Sequence, residues 1–293
     1  MKILLLGKNG QVGWELARAL LPLGEVIALD RQQVDFTQVA VLRQRIQTHQ
    51  PDVIVNAVAY TAVDKAEGER ESAFLCNAIA VDAIAQEAKK IGALLIHYST
   101  DYIFDGTKKT PYLEDDAVNP LNVYGESKLA GEKAIMESGA DYLIFRTTWV
   151  FASRGQNFLK SILRLAAERD TLNIVADQIG APTWARMIAQ ATAHIVQQVQ
   201  QERADNRFVS GVFHLTGAGE TSWHGFAQKI VELASPHCTL KTQVISPIST
   251  SQYPTPAKRP LNSRLCTEKL TQRFGIVMPA WDVSLQLCME ELF

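Results

Sequence analysis

The decisive stretch is Lys2-Ile3-Leu4-Leu5-Leu6-Gly7-Lys8-Asn9-Gly10-Gln11-Val12-Gly13. An apolar run ends on a glycine, two more glycines follow, and a helical pattern opens at Gln11 and runs to about Leu20. A strand buried on both faces reads as such an unbroken apolar run. In a strand–turn–helix of this kind one glycine permits the tight turn, one lets backbone N–H groups approach a pyrophosphate, and one lets the helix pack on the sheet. The helix N-terminus then turns its partial positive charge toward the phosphates. The spacing is GxxGxxG, not the commoner GxGxxG, and its place between strand and helix carries the reading.

Outward from this turn the chain alternates. Strands are expected at Val26–Leu29, Val53–Val58, Ala93–Tyr98 and Tyr142–Arg146, and helices at Val39–Thr48, Ser72–Ile91 and Val123–Ser138. Alternation of this kind predicts an α/β fold, a Rossmann-like doubly wound parallel sheet. After Trp149 the pattern loosens into helical stretches at Phe158–Glu168, Ala185–Gln200, Trp223–Leu233 and Val283–Leu292, with strands at Leu172–Val175 and Val212–Leu215. Pro247 to Pro260 holds four prolines and reads as irregular. The expected division is an NAD(P)-binding domain over 1–150 and a smaller, mainly substrate-binding region over 151–293, with some of its segments returning to the sheet.

Composition excludes several classes. The 29 Lys+Arg against 31 Asp+Glu give a net charge of −2, which argues against a broadly basic nucleic-acid surface. No apolar run reaches the length of a membrane span, and no secretory leader is apparent. Cys76, Cys238, Cys266 and Cys288 lie far apart without a CxxC pair, so a disulfide framework or zinc site is not expected and a reducing cytoplasm is. The six histidines show no ligand spacing, and His97, inside an apolar strand, reads as a hydrogen-bonded core residue. No protein-bound metal is expected from these residues.

Asp30 follows the second strand, seventeen residues after Gly13. A carboxylate there accepts hydrogen bonds from adenosine ribose hydroxyls and disfavours a 2′-phosphate, so NADH is favoured; Arg31 beside it leaves NADPH tolerated. Asp35 and Phe36 are candidates for a wall of the adenine pocket. Tyr124-Gly125-Glu126-Ser127-Lys128 is YxxxK, and its spacing puts the phenol and the ammonium on one helix face. A phenol with pKa near 10 transfers protons poorly at neutral pH, and a nearby ammonium is expected to lower it. Ser99-Thr100-Asp101 closes a strand, where a hydroxyl can hold a substrate carbonyl. Ser99 and Thr100 point to opposite faces, so one of the two is expected to serve.

Glycine turn, strand-end hydroxyl and YxxxK together resemble the extended short-chain dehydrogenases/reductases. The resemblance narrows to the dTDP-4-dehydrorhamnose reductase family through Asn56-Ala57-Val58-Ala59-Tyr60-Thr61-Ala62-Val63-Asp64-Lys65-Ala66-Glu67, His97-Tyr98-Ser99-Thr100-Asp101-Tyr102-Ile103-Phe104-Asp105-Gly106, Asp177-Gln178-Ile179-Gly180-Ala181-Pro182-Thr183 and Arg259-Pro260-Leu261-Asn262-Ser263-Arg264-Leu265. It covers essentially the whole chain. It implies NAD(P)H-dependent reduction of the C4 ketone of dTDP-4-dehydro-L-rhamnose, the last step of dTDP-L-rhamnose synthesis. Tyr124 would be the proton donor, Lys128 would lower its pKa and bind ribose, and Thr100 would hold the carbonyl oxygen. Gly7, Gly10, Gln11, Val12 and Gly13 would form the pyrophosphate turn, and Asp30, Asp35 and Phe36 the adenosine end. Ala59, Tyr60 and Thr61 would line the dinucleotide, while Thr100, Asp101 and Trp149 would face the sugar nucleotide. Arg259, Asn262 and Arg264 are candidates for diphosphate or base contacts.

Some members of the family are dimers bridged by magnesium through three glutamates. Glu15 and Glu291 match two of them, but the middle position is Arg186. A cation is a poor neighbour for Mg²⁺, which wants oxygen ligands. The resemblance therefore implies a monomer or homodimer without that metal, with Arg186 paired to Glu15 or Glu291 of either chain. Two other readings compete: a nucleotide-sugar epimerase or 4,6-dehydratase of the same superfamily, and a non-catalytic regulatory subunit of methionine adenosyltransferase. A dehydratase would carry an acid after Thr100-Asp101, where this chain has Tyr102. A regulator need not keep Thr100, Tyr124 and Lys128 together.

Overall fold

The computed structural model describes residues 1–293. Strands β1 (Lys2–Leu6), β2 (Glu25–Leu29), β3 (Val53–Asn56), β4 (Leu94–Thr100) and β5 (Asp141–Thr147) form one parallel sheet. Between them run helices α1 (Gln11–Ala19), α2 (Val39–His49), α3 (Ala80–Ile91) and α4 (Val123–Glu137). The alternation of the sequence is thus the alternation of the fold, and both sheet faces are covered. Beyond β5 the chain adds α5 (Phe158–Glu168), β6 (Thr171–Val175), α6 (Ala185–Ala204), β7 (Gly211–His214), α7 (Trp223–Ala234), β8 (Val244–Ile248), α8 (Glu268–Phe274) and α9 (Trp281–Met289).

Two of these later elements rejoin the sheet. β7 pairs in parallel with β5, which gives the strand order β7-β5-β4-β3-β1-β2. Ile188, Ile195 and Val199 of α6 pack with Leu16 and Leu20 of α1 against Ile3, Val55 and Ile96. The opposite face is closed by Leu42 and Ile46 of α2, Ile84 and Ala88 of α3 and Ile135 of α4. A separate core of Phe151, Leu159, Ile162, Trp184, Phe226 and Leu285 holds much of the C-terminal region together.

Three elements depart from the sequence reading. The helical pattern from Ser72 onward is interrupted by a π-helical turn at Leu75–Ile79 between the helix Arg70–Phe74 and α3. Helical periodicity hides one extra residue per turn, and such turns gather at functional sites. The proline-rich stretch begins inside β8, where Pro247 pairs opposite Ile174 of β6. A two-stranded ribbon leaves the missing N–H harmless. α8 was not expected; only Leu270 and Phe274 of it are buried, too few for a pattern.

The helix that carries YxxxK is clamped to the sheet. Arg146 of β5 donates from Nη2 to Glu132 Oε2 of α4 at 2.7 Å and from Nε to Oε1 at 3.0 Å, and both side chains are buried. Arg146 also donates to the Glu114 carbonyl at 2.9 Å. Glu132→Gln is expected to cost about 3–5 kcal/mol, because it strands a buried guanidinium. Adding Arg146→Met should recover part of that loss, measured as urea midpoints; a double variant weaker than either single would contradict the account.

Candidate active site

The glycine turn is built as its spacing requires. Gly7 has φ +90° and its N–H donates to the Leu29 carbonyl at 2.9 Å. A Cβ on Gly13 would stand 2.0 Å from the Gly7 oxygen, so this glycine is fixed by backbone contact. Gly10 opens α1, and no side chain caps the helix there. The uncapped first turn, with Gln11, Val12 and Gly13 in it, faces outward as an anion site would.

A cavity of about 500 Å³ opens beyond β1, β2 and β3, and Gly7, Gly10, Asp30, Asp35, Phe36, Ala59 and Tyr60 line it. Thr61 is exposed and is not part of this wall. The Tyr60 main chain is held from both sides by Asn77 in the π turn: its N–H donates to Asn77 Oδ1 at 2.8 Å and its carbonyl accepts from Nδ2 at 3.1 Å. Asn77 also donates to Ser127 Oγ of α4 at 3.0 Å. Asn77 was not a candidate from sequence, because the π turn that aims it inward leaves no mark in the periodicity.

Asp30 is engaged within its own turn. Oδ1 accepts the N–H groups of Gln32 and Gln33 at 3.1 and 3.2 Å, and Oδ2 lies 3.3 Å from Lys8 Nζ. Burial raises its pKa, but the Gln33 amide and Lys8 outweigh this and leave it lowered. Arg31 is exposed and reaches Asp35 at 3.7 Å. The strand end thus holds two carboxylates, each with its own cation: Asp30 with Lys8 and Asp35 with Arg31.

At the ends of β4 and α4 stand Thr100, Asp101, Tyr124 and Lys128. The Thr100 hydroxyl accepts from the Tyr102 amide at 3.2 Å and donates to Asp101 Oδ1 at 3.1 Å. Of the two candidate hydroxyls, Thr100 is the one beside Tyr124; Ser99 Oγ is buried without a partner. The expected lowering of the phenol is not found. Burial pushes Tyr124 up to about 12, the Asp101 charge adds to this, and only the Thr100 hydroxyl opposes it. The reason is where the ammonium goes. Lys128 is 1% exposed, and its Nζ donates to the Tyr98 carbonyl at 2.6 Å and meets His97 Nε2 at 3.2 Å. Burial in turn brings Lys128 down to about 8, against the charges of Cys76 and Glu132. Burial raises Asp101 to about 6, opposed by the Ser263 and Thr100 hydroxyls.

The expected substrate contacts fare unequally. Trp149, at φ +46°, stacks on Trp223 at 3.7 Å, so one indole face is already covered. Trp223 was not among the sequence candidates. Arg259 is held by Asp64 through two bonds of 2.9 Å. Arg264 is held by Glu220 at 2.9 Å. Neither arginine is a free cation here, contrary to expectation. Asn262 is a clearer correction: its Nδ2 donates to the carbonyls of Lys108 and Thr110, and its Oδ1 accepts from Arg264 N and Nε. Its amide is fully used in joining two loops.

Arg186 donates from Nε to Glu15 Oε2 at 3.1 Å and pairs with Glu291 of the same chain. The guanidinium stands between the two carboxylates, and Glu15 is 4% exposed. These residues do not suit a divalent cation.

The comparisons agree with one another. The family model described as RmlD substrate binding domain matches residues 1–293. A dTDP-4-dehydrorhamnose reductase of Burkholderia thailandensis is 54% identical, over 100% of this chain and 99% of that one. One of Escherichia coli is 50% identical over 100% of this chain and 98% of its own length. Among solved structures, a dTDP-4-dehydrorhamnose reductase of Clostridium acetobutylicum superposes with TM-score 0.90 at 36% identity, covering 100% of this chain and 99% of that one. One from Bacillus anthracis, in complex with NADP, gives 0.88 at 33%, with 99% of each chain covered. The chain belongs to the dTDP-4-dehydrorhamnose reductase family.

Asp101 gives a pH test. With its folded pKa raised toward 6, the folded chain binds more protons than the unfolded one as pH rises from near the ordinary carboxylate range to that value, so this group lowers stability with rising pH and the loss is complete above it. Asp101→Asn should therefore gain stability over the parent at pH 7.5 and gain little at pH 4.5, read from denaturant midpoints. An equal difference at both pH values would contradict the burial argument.

Proposed function

We propose that this chain reduces the C4 ketone of dTDP-4-dehydro-L-rhamnose to dTDP-L-rhamnose with a reduced nicotinamide cofactor, in the cytoplasm. The observation that carries the reading is the gathering of Thr100, Tyr124 and Lys128 at the ends of β4 and α4, with Lys128 near Cys76 of the glycine-turn cavity wall. The cavity suits a dinucleotide, because Gly10 and the uncapped α1 leave backbone N–H groups free and Asp30 stands at the adenosine end. The bound cofactor supplies the hydride.

The protein supplies the proton and the geometry. A phenol pushed up to about 12 is fully protonated at neutral pH, so Tyr124 stands ready as an acid. It would donate to the oxygen at C4 as negative charge develops there. Thr100 would hold that same oxygen by turning its proton away from Asp101 Oδ1, to which it now donates at 3.1 Å, while its own oxygen keeps the Tyr102 amide. Lys128 would bind the ribose and stabilise the phenolate left behind, which would require its Nζ to share the contacts it now makes with Tyr98 and His97. Asp101 and Trp149 would face the sugar. Arg259 would serve the diphosphate only by leaving Asp64.

NADH is the favoured cofactor in this reading, because Asp30 is oriented by two amides to receive a ribose diol. Lys8 and Arg31 beside it offset the repulsion of a 2′-phosphate and leave NADPH usable. Arg186 would take the place of a divalent cation, whether the chain is a monomer or a homodimer.

Tyr124→Phe should lower kcat at least about 100-fold with little change in cofactor affinity, since a general acid acts in the transition state. The check is NADH oxidation with the dTDP-ketosugar, run also with NADPH and with UDP- and GDP-linked ketosugars. A near-parental kcat would remove Tyr124 as the donor, and no turnover with any ketosugar would favour the regulatory-subunit reading. Parental turnover and sedimentation should both be unchanged by EDTA; a loss of either would show that a metal is held despite Arg186.

A further inference from the structure

Beneath the proposed catalytic pair lies a buried polar chain that the reaction as described does not use. It runs from Asn56 at the end of β3, through His97 of β4, to Lys128 of α4. Asn56 is 1% exposed and His97 fully buried. Asn56 Oδ1 accepts the Val58 N–H at 3.1 Å, and its Nδ2 lies 3.1 Å from His97 Nδ1. His97 Nε2 lies 3.2 Å from Lys128 Nζ, which also donates to the Tyr98 carbonyl at 2.6 Å.

The proton count along this chain is constrained. Turning the Asn56 amide over would set its NH₂ against the Val58 N–H, donor to donor, so the oxygen must face Val58 and the NH₂ must face His97. Nδ1 then accepts. Burial, with Lys128 close by, holds the ring neutral, so its single proton sits on Nε2. That N–H points at Lys128 Nζ. A full ammonium there would place two donors face to face, whereas an amine with a free lone pair accepts.

We propose, resting on the reductase reading above, that His97 is a positioning residue: Asn56 fixes it as the Nε2–H tautomer, and it donates to Lys128 so that the neutral amine is favoured over the ammonium in the free enzyme. The other titratable groups around Lys128 are Cys76 from the π turn, Tyr124 one turn back, and Glu132 one turn on, itself paired with Arg146. None of them competes with the Nε2–H for the lone pair in this structure.

The substitution Asn56→Asp reverses the arrangement at constant size. One carboxylate oxygen keeps the Val58 N–H, the other accepts a proton from Nδ1, and Nε2 becomes an acceptor for a charged Lys128. In the full-length protein with ¹⁵N-labelled histidine and no cofactor, long-range ¹H–¹⁵N spectra at pH 8 should show His97 as the neutral Nε2–H form. His97→Gln identifies its signals. Asn56→Asp should switch them to the Nδ1–H form. In the ketosugar assay, the fall of kcat/KM for the cofactor as pH rises, which reports groups of the free enzyme, should move upward by about one pH unit in that variant, a tenfold change in the proton affinity of Lys128. Parental His97 found as the Nδ1–H form or as the cation overturns the proposal, as does an unmoved profile in a folded, switched variant. The spectra decide the tautomer even if no ketosugar is turned over, so failure of the reductase reading is separately visible.

Discussion

A buried ion pair sets where everything else can be. Arg146 and Glu132 meet without water between β5 and α4, and neither can leave without stranding the other in a low-dielectric interior. The pair fixes α4 along its axis and in rotation. Lys128 lies one turn before Glu132 and Tyr124 one turn before that, so one clamp sets the height and facing of both. The α4 face that meets the sheet is thus charged where a bundle helix would be apolar. Glycine provides the close approach: a Cβ on Gly125 would stand 2.2 Å from the Tyr102 carbonyl, and one on Gly131 2.1 Å from that of Asn77.

From this clamp the site's electrostatics follow. Tyr124, Lys128 and Asp101 are brought out of water, and each shifts toward its neutral form: phenol and carboxyl up, ammonium down. The same burial therefore keeps the phenol protonated and makes the lysine easier to deprotonate. A simple picture of a lysine charge pressing on the phenol does not describe this geometry, since the Lys128 nitrogen is taken by the Tyr98 carbonyl and His97.

How far the sequence foresaw this depends on the length scale of each interaction. The glycine turn, the alternating strands and helices and YxxxK are local patterns, with periods of two to four residues, and each stands where the sequence put it. Asp30, Phe36 and Tyr60 line one cavity, as a motif reading expects. What the sequence could not show are pairings between distant segments. Arg259 meets Asp64 across 195 positions, and Asn262 meets the Lys108 carbonyl across 154. A motif names such residues without saying whether their hydrogen bonds are free, and here they are spent. The π turn at Leu75–Ile79 escaped for another reason: it preserves the apolar face while shifting one residue, Asn77, inward.

The contrast between Arg186 and Arg259 shows why pairing has to be weighed against burial. Both arginines bind carboxylates. Arg186 joins the nearly buried Glu15 on α1 to Glu291 beyond α9, so its charge ties the first helix to the C-terminal segment within one chain. Displacing it would leave two carboxylates facing each other. Arg259 instead meets a single carboxylate, Asp64, whose side chain is 40% exposed although Arg259 itself is only 22% exposed. The difference thus lies in the carboxylates and not in the arginines: Asp64 is reached by water, and an ion pair open to solvent contributes little, whereas Glu15 is nearly buried. Arg186 is the more exposed arginine at 32%, yet it stands between two carboxylates, so an anion approaching it would meet both of them.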